Sequence, residues 1–425
     1  MSICKCFLGV LVYSVIAIQT WGQVANSPFT QFGIGENYSD ALANTQGLGG
    51  IGVSQPQFWY VNNQNPALLV YNSFTSFQGG LVGERNTLSN DFGSEKYTGG
   101  NMNYLVTAFP ILPAKRGGES SRWTTSLGLM PYSAIKYKFQ TLEPIDGQNS
   151  FINENREGRG GLTQLYWSNG VRIAKDLAIG LKAKYLFGTT YRINSFSPGQ
   201  GTIFDIEDKN YTKNFSFSLG VSYSKDSLLG GNYRLSAGAV YGIATDARTE
   251  HINKTAQLRA AGDTIPGTAI ETSTRGFTHL PPSITAGISI SKGSKWNLAT
   301  EFSYQDWSSF SSPEGQQSNM MKSWKAGIGG EFTPEADAIE GILKRITYRA
   351  GVVREQYPFI AGTAQVQDFG ANFGFSIPTG KSNLDFAFRV GKRGNKTDNV
   401  IEENYFKIYF GITFNDVWFI KRKFD

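Results

Sequence analysis

Two histidines, His251 and His279, are the only imidazoles in the chain that could act in acid–base or nucleophilic catalysis. A lipid-modifying site would need one of them beside a serine and a third group that orients the ring. Serines are so numerous that such a pairing is easily met by chance. We therefore predict two loop histidines without chemistry, and no enzyme activity.

Metal and redox chemistry find few ligands in the sequence. The two cysteines, Cys4 and Cys6, lie near the N-terminus, in a part of the chain that we expect to be removed. The rest of the chain has two histidines and no cysteine, a set that does not favour a transition-metal site. The acidic run Asp205-Ile206-Glu207-Asp208 could hold calcium weakly, but it is more typical of a solvated loop. No glycine loop of the phosphate-binding type occurs. We expect no metal and no cofactor.

An apolar block at residues 7–18, preceded by Lys5, is typical of a signal peptide. The block is too short to cross a bilayer as a helix, which takes about 20 residues. Small residues precede Gln23, so we predict that residues 1–22 form a signal peptide. Both cysteines would be removed with it, leaving an exported chain without thiols.

The net charge of +6 and the pI near 9.0 do not point to nucleic acid. A nucleic-acid site needs basic residues clustered on one face, whereas here they are scattered singly. We expect them in a solvated lumen, in loops and in the C-terminal tail.

Two-residue alternation runs through residues 73–414 and predicts the main structure. Phe215, Phe217, Leu219, Val221 and Tyr223, for example, alternate with serine and glycine. Successive strand residues point to opposite faces, so each such strand has one apolar and one polar face. Several strands run ten residues or more, the length of a tilted membrane strand, and aromatic residues stand at many strand ends. The pattern predicts an all-β, transmembrane antiparallel β-barrel.

About fourteen strands are predicted, the even number that a closed barrel requires. Their connections tend to alternate between short links and long ones such as 85–99, 142–161, 195–210 and 247–281. Residues 335–344 could form a short helix. The predicted strands are 73–84, 100–109, 122–141, 162–173, 177–194, 211–224, 232–246, 282–291, 295–308, 323–333, 345–356, 366–377, 383–393 and 404–414.

Two regions lie outside the alternation. Residues 23–72 are rich in glycine, asparagine, glutamine and serine, and they are too long for a simple tail, so we predict a plug or hatch inside the barrel. The barrel itself is assigned to residues 73–414. Residues 415–425 are predicted to be a periplasmic C-terminal tail.

Scattered motifs of the mature chain resemble the FadL family of outer-membrane transporters for long-chain fatty acids and other hydrophobic compounds. Gly47-Leu48-Gly49-Gly50-Ile51-Gly52-Val53, followed by Asn65-Pro66-Ala67, is similar to the glycine-rich stretch and Asn-Pro-Ala motif of the family's hatch. Leu280-Pro281-Pro282-Ser283-Ile284 and the stretch ending Tyr304-Gln305-Asp306-Trp307-Ser308 resemble a proline-led strand and its successor. Tyr348-Arg349-Ala350-Gly351 is similar to a late Arg-x-Gly strand.

The resemblance implies a fourteen-stranded barrel with an N-terminal hatch and a kinked third strand that opens sideways into the membrane. Pro131 stands in the middle of the third predicted strand, and proline removes a ladder donor. We therefore expect a gate at Met130, Pro131 and Tyr132. Two strands joined by a turn, or a bulge without a role in transport, are the alternatives.

A ligand site is predicted where the hatch meets the lumen. Phe58, Trp59 and Tyr60 lead directly to Asn65-Pro66-Ala67, and aromatic side chains there could form an apolar pocket in a polar barrel. The site residues are thus Phe58, Trp59, Asn65, Pro66 and Ala67. The alternative is that the aromatic side chains only pack the plug.

Some features depart from the family pattern. Leu68 replaces the usual glycine after Asn-Pro-Ala, Ser27-Pro28-Phe29-Thr30-Gln31-Phe32-Gly33 looks like an added segment, and the end of the chain resembles barrels of Bacteroidetes-type bacteria. The leading hypothesis is passive uptake of a hydrophobic small molecule across the bacterial outer membrane. The alternative is an accessory barrel subunit of a secretion or assembly complex. The expected partners are membrane lipid, a hydrophobic ligand or proteins of such a complex, and not nucleic acid.

Overall fold

The structure is a computed structural model. It describes residues 25–112, 121–144, 151–197, 202–228, 233–259, 262–313 and 320–417. The predicted signal peptide at residues 1–22 and most of the predicted tail at 415–425 lie outside the described residues.

Long strands dominate the described chain. A first, two-residue strand, β1, stands apart in the N-terminal region. The strands are β1 (Glu36–Asn37), β2 (Thr75–Ser89), β3 (Ser94–Leu112), β4 (Trp123–Pro144), β5 (Phe151–Arg172), β6 (Leu177–Ser197), β7 (Thr202–Leu228), β8 (Tyr233–Gly242), β9 (Thr245–Arg259), β10 (Ile270–Leu280), β11 (Ser283–Lys292), β12 (Trp296–Asp306), β13 (Lys322–Phe332), β14 (Thr347–Ala361), β15 (Ala364–Thr379), β16 (Ser382–Arg393) and β17 (Glu402–Asp416).

The strands β2 to β17 close into an antiparallel barrel whose wall consists of fourteen strand positions, as predicted. We call each of these fourteen positions a stave. Two staves are broken: β8 and β9 form one, and β10 and β11 form another, interrupted at Pro281-Pro282. β7 pairs with both β8 and β9, while β10 pairs with β9 and β11 with β8. β17 pairs with β2 along the full length of both strands and closes the ring.

The long connections predicted from the sequence are in large part strand, and this corrects the prediction. β2 and β3 pair up to Ser89 and Ser94, and β9 and β10 extend the barrel wall through most of residues 247–281. Apolar alternation ends where the strands leave the membrane zone, but backbone pairing does not depend on it. The sequence signal therefore stops before the strands do.

Helices are few and short. Of the predicted helix at residues 335–344, only the end is helical, because the preceding residues are turn and bend. The α-helices are α1 (Ala43–Gln46), α2 (Ile342–Arg345) and α3 (Lys396–Asn399), and the 3-10 helices are Pro28–Gln31, Pro66–Tyr71 and Trp307–Ser309. No helix among the described residues is long and apolar enough to cross a membrane.

The outer face of the barrel carries an apolar belt. On β7, Phe215, Phe217 and Leu219 are 56%, 41% and 48% exposed, while Ser218 and Ser222 between and beyond them are buried toward the lumen. Exposed apolar side chains recur in the same way around the ring. An apolar belt on a closed barrel is the surface that faces lipid in an outer-membrane protein.

Residues 25–72 lie inside the barrel and are mostly buried. The 3-10 helix Pro66–Tyr71 packs on β4, β5, β6 and β7, and α1 packs on β15, β16 and β17. The segment thus contacts widely separated parts of the wall. Its position agrees with the predicted hatch, although its action as a hatch stays a prediction.

Wall glycines allow the segment to approach the strands closely. A Cβ on Gly220 would come within 3.0 Å of Asn65 and Pro66, and a Cβ on Gly351 would come equally close to Leu48. The backbone of the segment therefore occupies space that any larger wall residue would fill. These glycines explain why the glycine-rich strands accommodate a plug.

We expect Gly220→Ala to loosen the N-terminal segment, because the new methyl group would overlap Asn65 and Pro66. Overpacking of this kind costs about 1–3 kcal/mol. Limited proteolysis of the folded barrel should then cut within residues 25–72. Gly83→Ala is the control, because its Cβ would meet no atom within 4 Å. Equal protease resistance of both variants would contradict the proposed close packing.

Candidate functional site

The strand β4 loses its neighbour β3 halfway along its length. β3 pairs with β4 only from Leu105 opposite Leu129 to Leu112 opposite Trp123. On the other side, β4 stays paired with β5, but the register shifts between Pro131 and Ser133. The barrel wall is therefore interrupted between β3 and the outer half of β4, starting at the predicted kink.

A stretch of the N-terminal region, residues 27–38, takes the place of β3 beside β4. We call it the sealing segment. β1 lies within it, and its Glu36 and Asn37 stand opposite Ala134 and Ser133 of β4. Short antiparallel pairing thus continues the sheet where the wall strand leaves it.

Further backbone bonds extend this replacement along β4. Tyr38 N–H donates to the carbonyl of Tyr132 at 2.9 Å, and Ser27 N–H donates to the carbonyl of Lys136 at 2.9 Å. The amide of Lys136 donates in turn to the hydroxyl of Thr30 at 3.0 Å. The sealing segment therefore satisfies backbone groups of β4 that β3 leaves open.

Aromatic side chains hold the sealing segment against the opposite wall. Phe32 stacks on Phe359 of β14 with ring centroids 4.5 Å apart, and Phe29 lies 6.3 Å from the same ring. Tyr132, just after the proline, packs with Phe32 on a buried cluster that includes Trp307. The kink and the segment are thus joined by apolar packing as well as by hydrogen bonds.

A cavity of about 360 Å³ lies beside the sealing segment. This volume is within the range of small-molecule sites. Aromatic residues line one part of it, among them Phe29, Phe32, Tyr132, Tyr357 and Phe359. Charged side chains line another part, among them Glu36, Asp40, Lys182, Lys184, Glu301, Lys325, Glu355, Arg389, Arg393 and Lys407.

The cavity reaches the interruption in the wall. Asn103 on β3 and Tyr132 on β4 both line it, one on each side of the place where pairing stops. Asn103 and Ser133 are buried, yet the Asn103 amide nitrogen and the Ser133 hydroxyl find no hydrogen-bond partner among the described residues. The junction thus presents two buried polar groups next to the cavity.

Glu36 ties the sealing segment to the far wall of the barrel. Its carboxylate lies 2.9 Å from Arg393 and 3.2 Å from Lys407, on β16 and β17. Burial alone would raise the pKa of Glu36, but these two cations outweigh burial and hold the pKa well below its usual range. The anchor is therefore a charged one at neutral pH.

Asp40 forms a second anchor, to β5 and β6. Its carboxylate accepts from Lys182 at 2.8 Å, from Lys184 at 3.3 Å and from Gln164 at 2.9 Å. Burial would raise the pKa of Asp40, but the two lysines lower it well below the usual range. Lys182 is almost fully buried, so it depends on this carboxylate for its counter-charge.

Wall carboxylates hold the rest of the N-terminal region. Glu301 of β12 accepts from the backbone amides of Gly52 and Val53, both at 2.9 Å. The hydroxyl of Tyr60 donates to Asp385 of β16 at 2.9 Å. The region is thus bound to β5 and β6, to β12 and to β16 and β17 by polar contacts.

The predicted motif Asn65-Pro66-Ala67 has a structural role. Asn65 caps the 3-10 helix by accepting from the Ala67 amide at 3.0 Å. Its side-chain amide donates to the carbonyls of Val53 and Val221 at 2.8 and 3.0 Å. The motif therefore locks the N-terminal region to itself and to β7. Asn65, Pro66 and Ala67 are not among the described residues that line the cavity beside the sealing segment.

Phe58 and Trp59 also lie apart from the cavity beside the sealing segment. Their rings stack with Phe74, Phe58 is 47% exposed, and the carbonyl of Trp59 accepts from Asn415 near the end of β17. They therefore cluster where β2 begins and β17 ends. This arrangement matches the alternative that the aromatic side chains pack the plug.

The three predicted gate residues lie together at the interruption. Met130 is buried, and its sulfur accepts from the Asn63 amide at 3.1 Å. Pro131 starts the register shift, and Tyr132 lines the cavity. That these residues open as a gate stays a prediction.

Sequence reasoning missed four residues that shape the site: Phe29, Phe32 and Glu36 of the sealing segment, and Asp40 just after it. The segment was noted only as an addition to the family pattern. Paired aromatic and acidic residues in an otherwise polar region were the available signal. Their partners in the wall are hundreds of residues away, so the sequence alone could not assign them.

The histidines are hydrogen-bonded in the outer part of the barrel. His251 Nδ1 lies 3.0 Å from the side-chain oxygen of Asn210, and His279 Nδ1 lies 2.6 Å from Asp246. Neither ring contacts a serine in the described hydrogen bonds. In the part of the chain that is described, no group of three or more histidine, cysteine or acidic residues could hold a metal ion.

Comparison with known proteins identifies a family and a set of similar barrels. The model of a protein family described as BamG matches residues 3–425. No curated protein matches the sequence.

Solved structures share the fold at low identity. A Pseudomonas aeruginosa FadL homologue is 12% identical with a TM-score of 0.61, covering 89% of this chain and 99% of its own. The P. putida toluene transporter TodX is 15% identical with a TM-score of 0.57, covering 90% and 100%. The CymD monoaromatic hydrocarbon channel is 13% identical with a TM-score of 0.58, covering 90% and 99%. TodX is named as a transporter and CymD as a channel, and the likeness of all three structures confirms the predicted FadL-type fold.

We expect Asp40→Asn to destabilise the barrel strongly, because Lys182 would remain buried without a counter-charge. Breaking such a buried pair typically costs about 3–5 kcal/mol. The loss would be measured as a lower unfolding temperature in detergent. Asp226→Asn is the control, since Asp226 pairs with Arg234 at the surface and should matter little. Similar losses in the two variants would contradict the anchor.

A pH dependence follows from the two anchoring carboxylates. The pKa values of Glu36 and Asp40 are lowered in the folded state, so their stabilisation is present above the ordinary carboxyl pKa of about 4. It is lost as the pH falls through the lowered folded values. Hydrogen exchange of residues 27–42 should therefore speed up relative to the barrel strands below about pH 4. If the exchange rates of the barrel strands and of residues 27–42 rise equally at low pH, the two carboxylates are not the cause of the pH dependence.

Proposed function

The chain belongs to the BamG family, and from the cavity that meets the interruption in its wall we propose that it is a passive outer-membrane channel for hydrophobic small molecules. The molecule enters the cavity from outside the cell and leaves sideways between β3 and β4. The residues of this chain hold and guide the molecule, and no covalent step on it is proposed.

One observation carries this proposal: the cavity meets the interruption in the wall. Asn103 and Tyr132 line the cavity from the two strands that part there. A route at this place would lead an apolar molecule from the lumen to lipid without passing through the packed N-terminal region. The hydrocarbon and toluene transport named for the similar barrels agrees with such a route.

The lining of the cavity favours a ligand with an apolar body and a polar end. Phe29, Phe32 and Phe359 offer ring surfaces, whereas Lys325, Glu355 and Arg389 line another part of the same space. A purely apolar molecule would match only the aromatic part and would displace water from the charged part, which costs free energy. An amphipathic molecule would match both parts.

The sealing segment is the part that must move. It is held to β4 by short pairing at Glu36 and Asn37 and by a few further backbone bonds. The glycine-packed part that follows is bound to several walls. We propose that the segment swings away from β4 while the rest of the N-terminal region stays in place.

A disulfide between Asn37→Cys and Ser133→Cys tests this motion, because the two residues are cross-strand partners. Paired strand residues lie about 4.5–5.5 Å apart at Cα, a spacing that suits a disulfide. We expect the oxidised variant to lose uptake of radiolabelled toluene and oleate in a host without its own uptake barrel. A reductant should restore uptake.

The matched control is the pair Thr285→Cys and Ser303→Cys, which are cross-strand partners on β11 and β12 and line the same cavity. Its disulfide leaves the sealing segment free, so uptake should persist. The proposed gate fails if the oxidised Asn37–Ser133 pair transports as well as its reduced form. If neither the wild type nor any variant transports either probe, the channel function itself is contradicted.

A second candidate function is that of an accessory barrel in an outer-membrane secretion or assembly complex. The observation in its favour is the strength of the anchors: Glu36, Asp40 and Glu301 fix the N-terminal region to three parts of the wall. Such fixation suits a scaffold better than a channel whose contents must shift.

Native mass spectrometry after gentle extraction separates the two candidates. A lone barrel that carries a small molecule is the result expected of a channel. A stoichiometric complex with other proteins and an empty cavity would favour the accessory role instead.

A further inference from the structure

Exposed basic residues form a cluster on the outer surface of β5, β7 and β9. We call Arg159, Lys209, Lys213 and Arg248 the basic cluster. Lys213 and Lys209 alternate with exposed Tyr211 on the outward face of β7, the face that carries Phe215. The cluster therefore continues the lipid-facing surface of the barrel.

The cluster begins where the apolar belt ends. Lys213 is the next outward residue after Phe215, which is 56% exposed. Arg248 stands opposite Phe277 of β10, which is 58% exposed. These cations thus lie at the outer edge of the apolar belt, level with Phe187 and Phe277. In a barrel that spans the outer membrane, that level corresponds to the lipid headgroups.

The basic residues stand in two pairs. Lys213 and Arg248 are direct cross-strand partners. Four residues farther along β7, or about 13 Å at the usual strand rise, Lys209 and Arg159 lie two strands apart, on either side of Tyr191 in register. Like charges directly opposite each other destabilise a sheet, so the pair of Lys213 and Arg248 would be stabilised by an anion.

The rings hold the second pair of cations in place. The Arg159 guanidinium lies 5.2 Å from the Tyr191 centroid, and the Lys209 ammonium lies 5.0 Å from it and 4.5 Å from the Tyr211 centroid. Cation–π contacts fix the position of a cation while it can still donate to a further acceptor. The two rings therefore hold Arg159 and Lys209 in place without neutralising their charge.

No carboxylate of the described residues neutralises the cluster. Arg275 nearby is paired with Glu250 at 3.2 Å, but Arg159, Lys209, Lys213 and Arg248 have no acidic oxygen within 4.0 Å in the described part of the chain. Two pairs of cations therefore lie at the level of the headgroups without an acidic partner among the described residues.

We propose that the basic cluster binds the phosphate groups of a phosphorylated glycolipid in the outer leaflet. Phosphate oxygens accept charge-assisted hydrogen bonds from arginine and lysine, and such bonds are stronger than neutral ones. Two cation pairs suit a headgroup with two phosphates. The continuity of the cluster with the apolar belt favours a lipid over a soluble anion, because the acyl chains would lie on the belt below. The proposal is independent of transport through the barrel.

Binding is measured with the full-length protein in detergent micelles, with bisphosphorylated lipid A as the probe. The double variants Lys213→Gln/Arg248→Gln and Arg159→Gln/Lys209→Gln remove one pair each. We expect each to bind lipid A at least tenfold more weakly by native mass spectrometry and to lose the increase in unfolding temperature that lipid A gives the wild type. Without lipid A, Lys213→Gln/Arg248→Gln should be at least as stable as the wild type, since it removes a like-charge pair.

The control is Arg85→Gln/Arg354→Gln, which removes two exposed arginines on β2 and β14 and should bind lipid A like the wild type. Dephosphorylated lipid A should bind weakly to all variants. Equal affinity for both lipids, or equal loss in the control, would overturn the proposal. If inorganic phosphate alone saturates the basic cluster, the occupant is a free anion and not a lipid. If Lys209 and Lys213 are protected from amine labelling only when another protein is present, the occupant is a protein surface.

Discussion

The pairing of backbone groups in lipid is the constraint on which the rest of this structure depends. A barrel meets it by closing the ring, and β17 closes this one on β2. Between β3 and the outer half of β4 the ring is not closed by its own strands. There the sealing segment supplies the missing partner, so the wall of the barrel is completed from inside. The N-terminal region is therefore part of the wall as well as content of the lumen.

Glycine and charge hold two parts of the N-terminal region in different ways. Around Leu48 and Asn65, the backbone lies against wall glycines, where an added Cβ would overlap it. Around Glu36, the contacts are ion pairs, a short strand and the rings of Phe29 and Phe32 against Phe359. The motion proposed for the sealing segment would break these contacts near β4, while the part that packs on the glycines would stay in place.

Much of the barrel could be predicted from the sequence because the signal is local. Two-residue alternation located all fourteen staves, and Pro131 located the register shift, since both effects act within a few residues. The outer ends of the strands were missed because both of their faces are polar. The part of the cavity lining that comes from the sealing segment was not predicted, for another reason. Phe58 and Phe32 look alike in sequence, and only the pairing of residues 36–37 with β4, about a hundred residues away, decides which aromatic side chain reaches the cavity.

The similarity to known structures concerns the barrel wall and not the lining of the cavity. At 12–15% identity, what this chain shares with these structures is the barrel fold. The cavity, by contrast, is lined to a large extent by the sealing segment, including Phe29, Phe32 and Glu36. A change in that short segment alters the space that a molecule meets without altering any stave. If the proposed channel function holds, the choice of ligand depends mainly on residues 27–40 and on the wall residues that they contact.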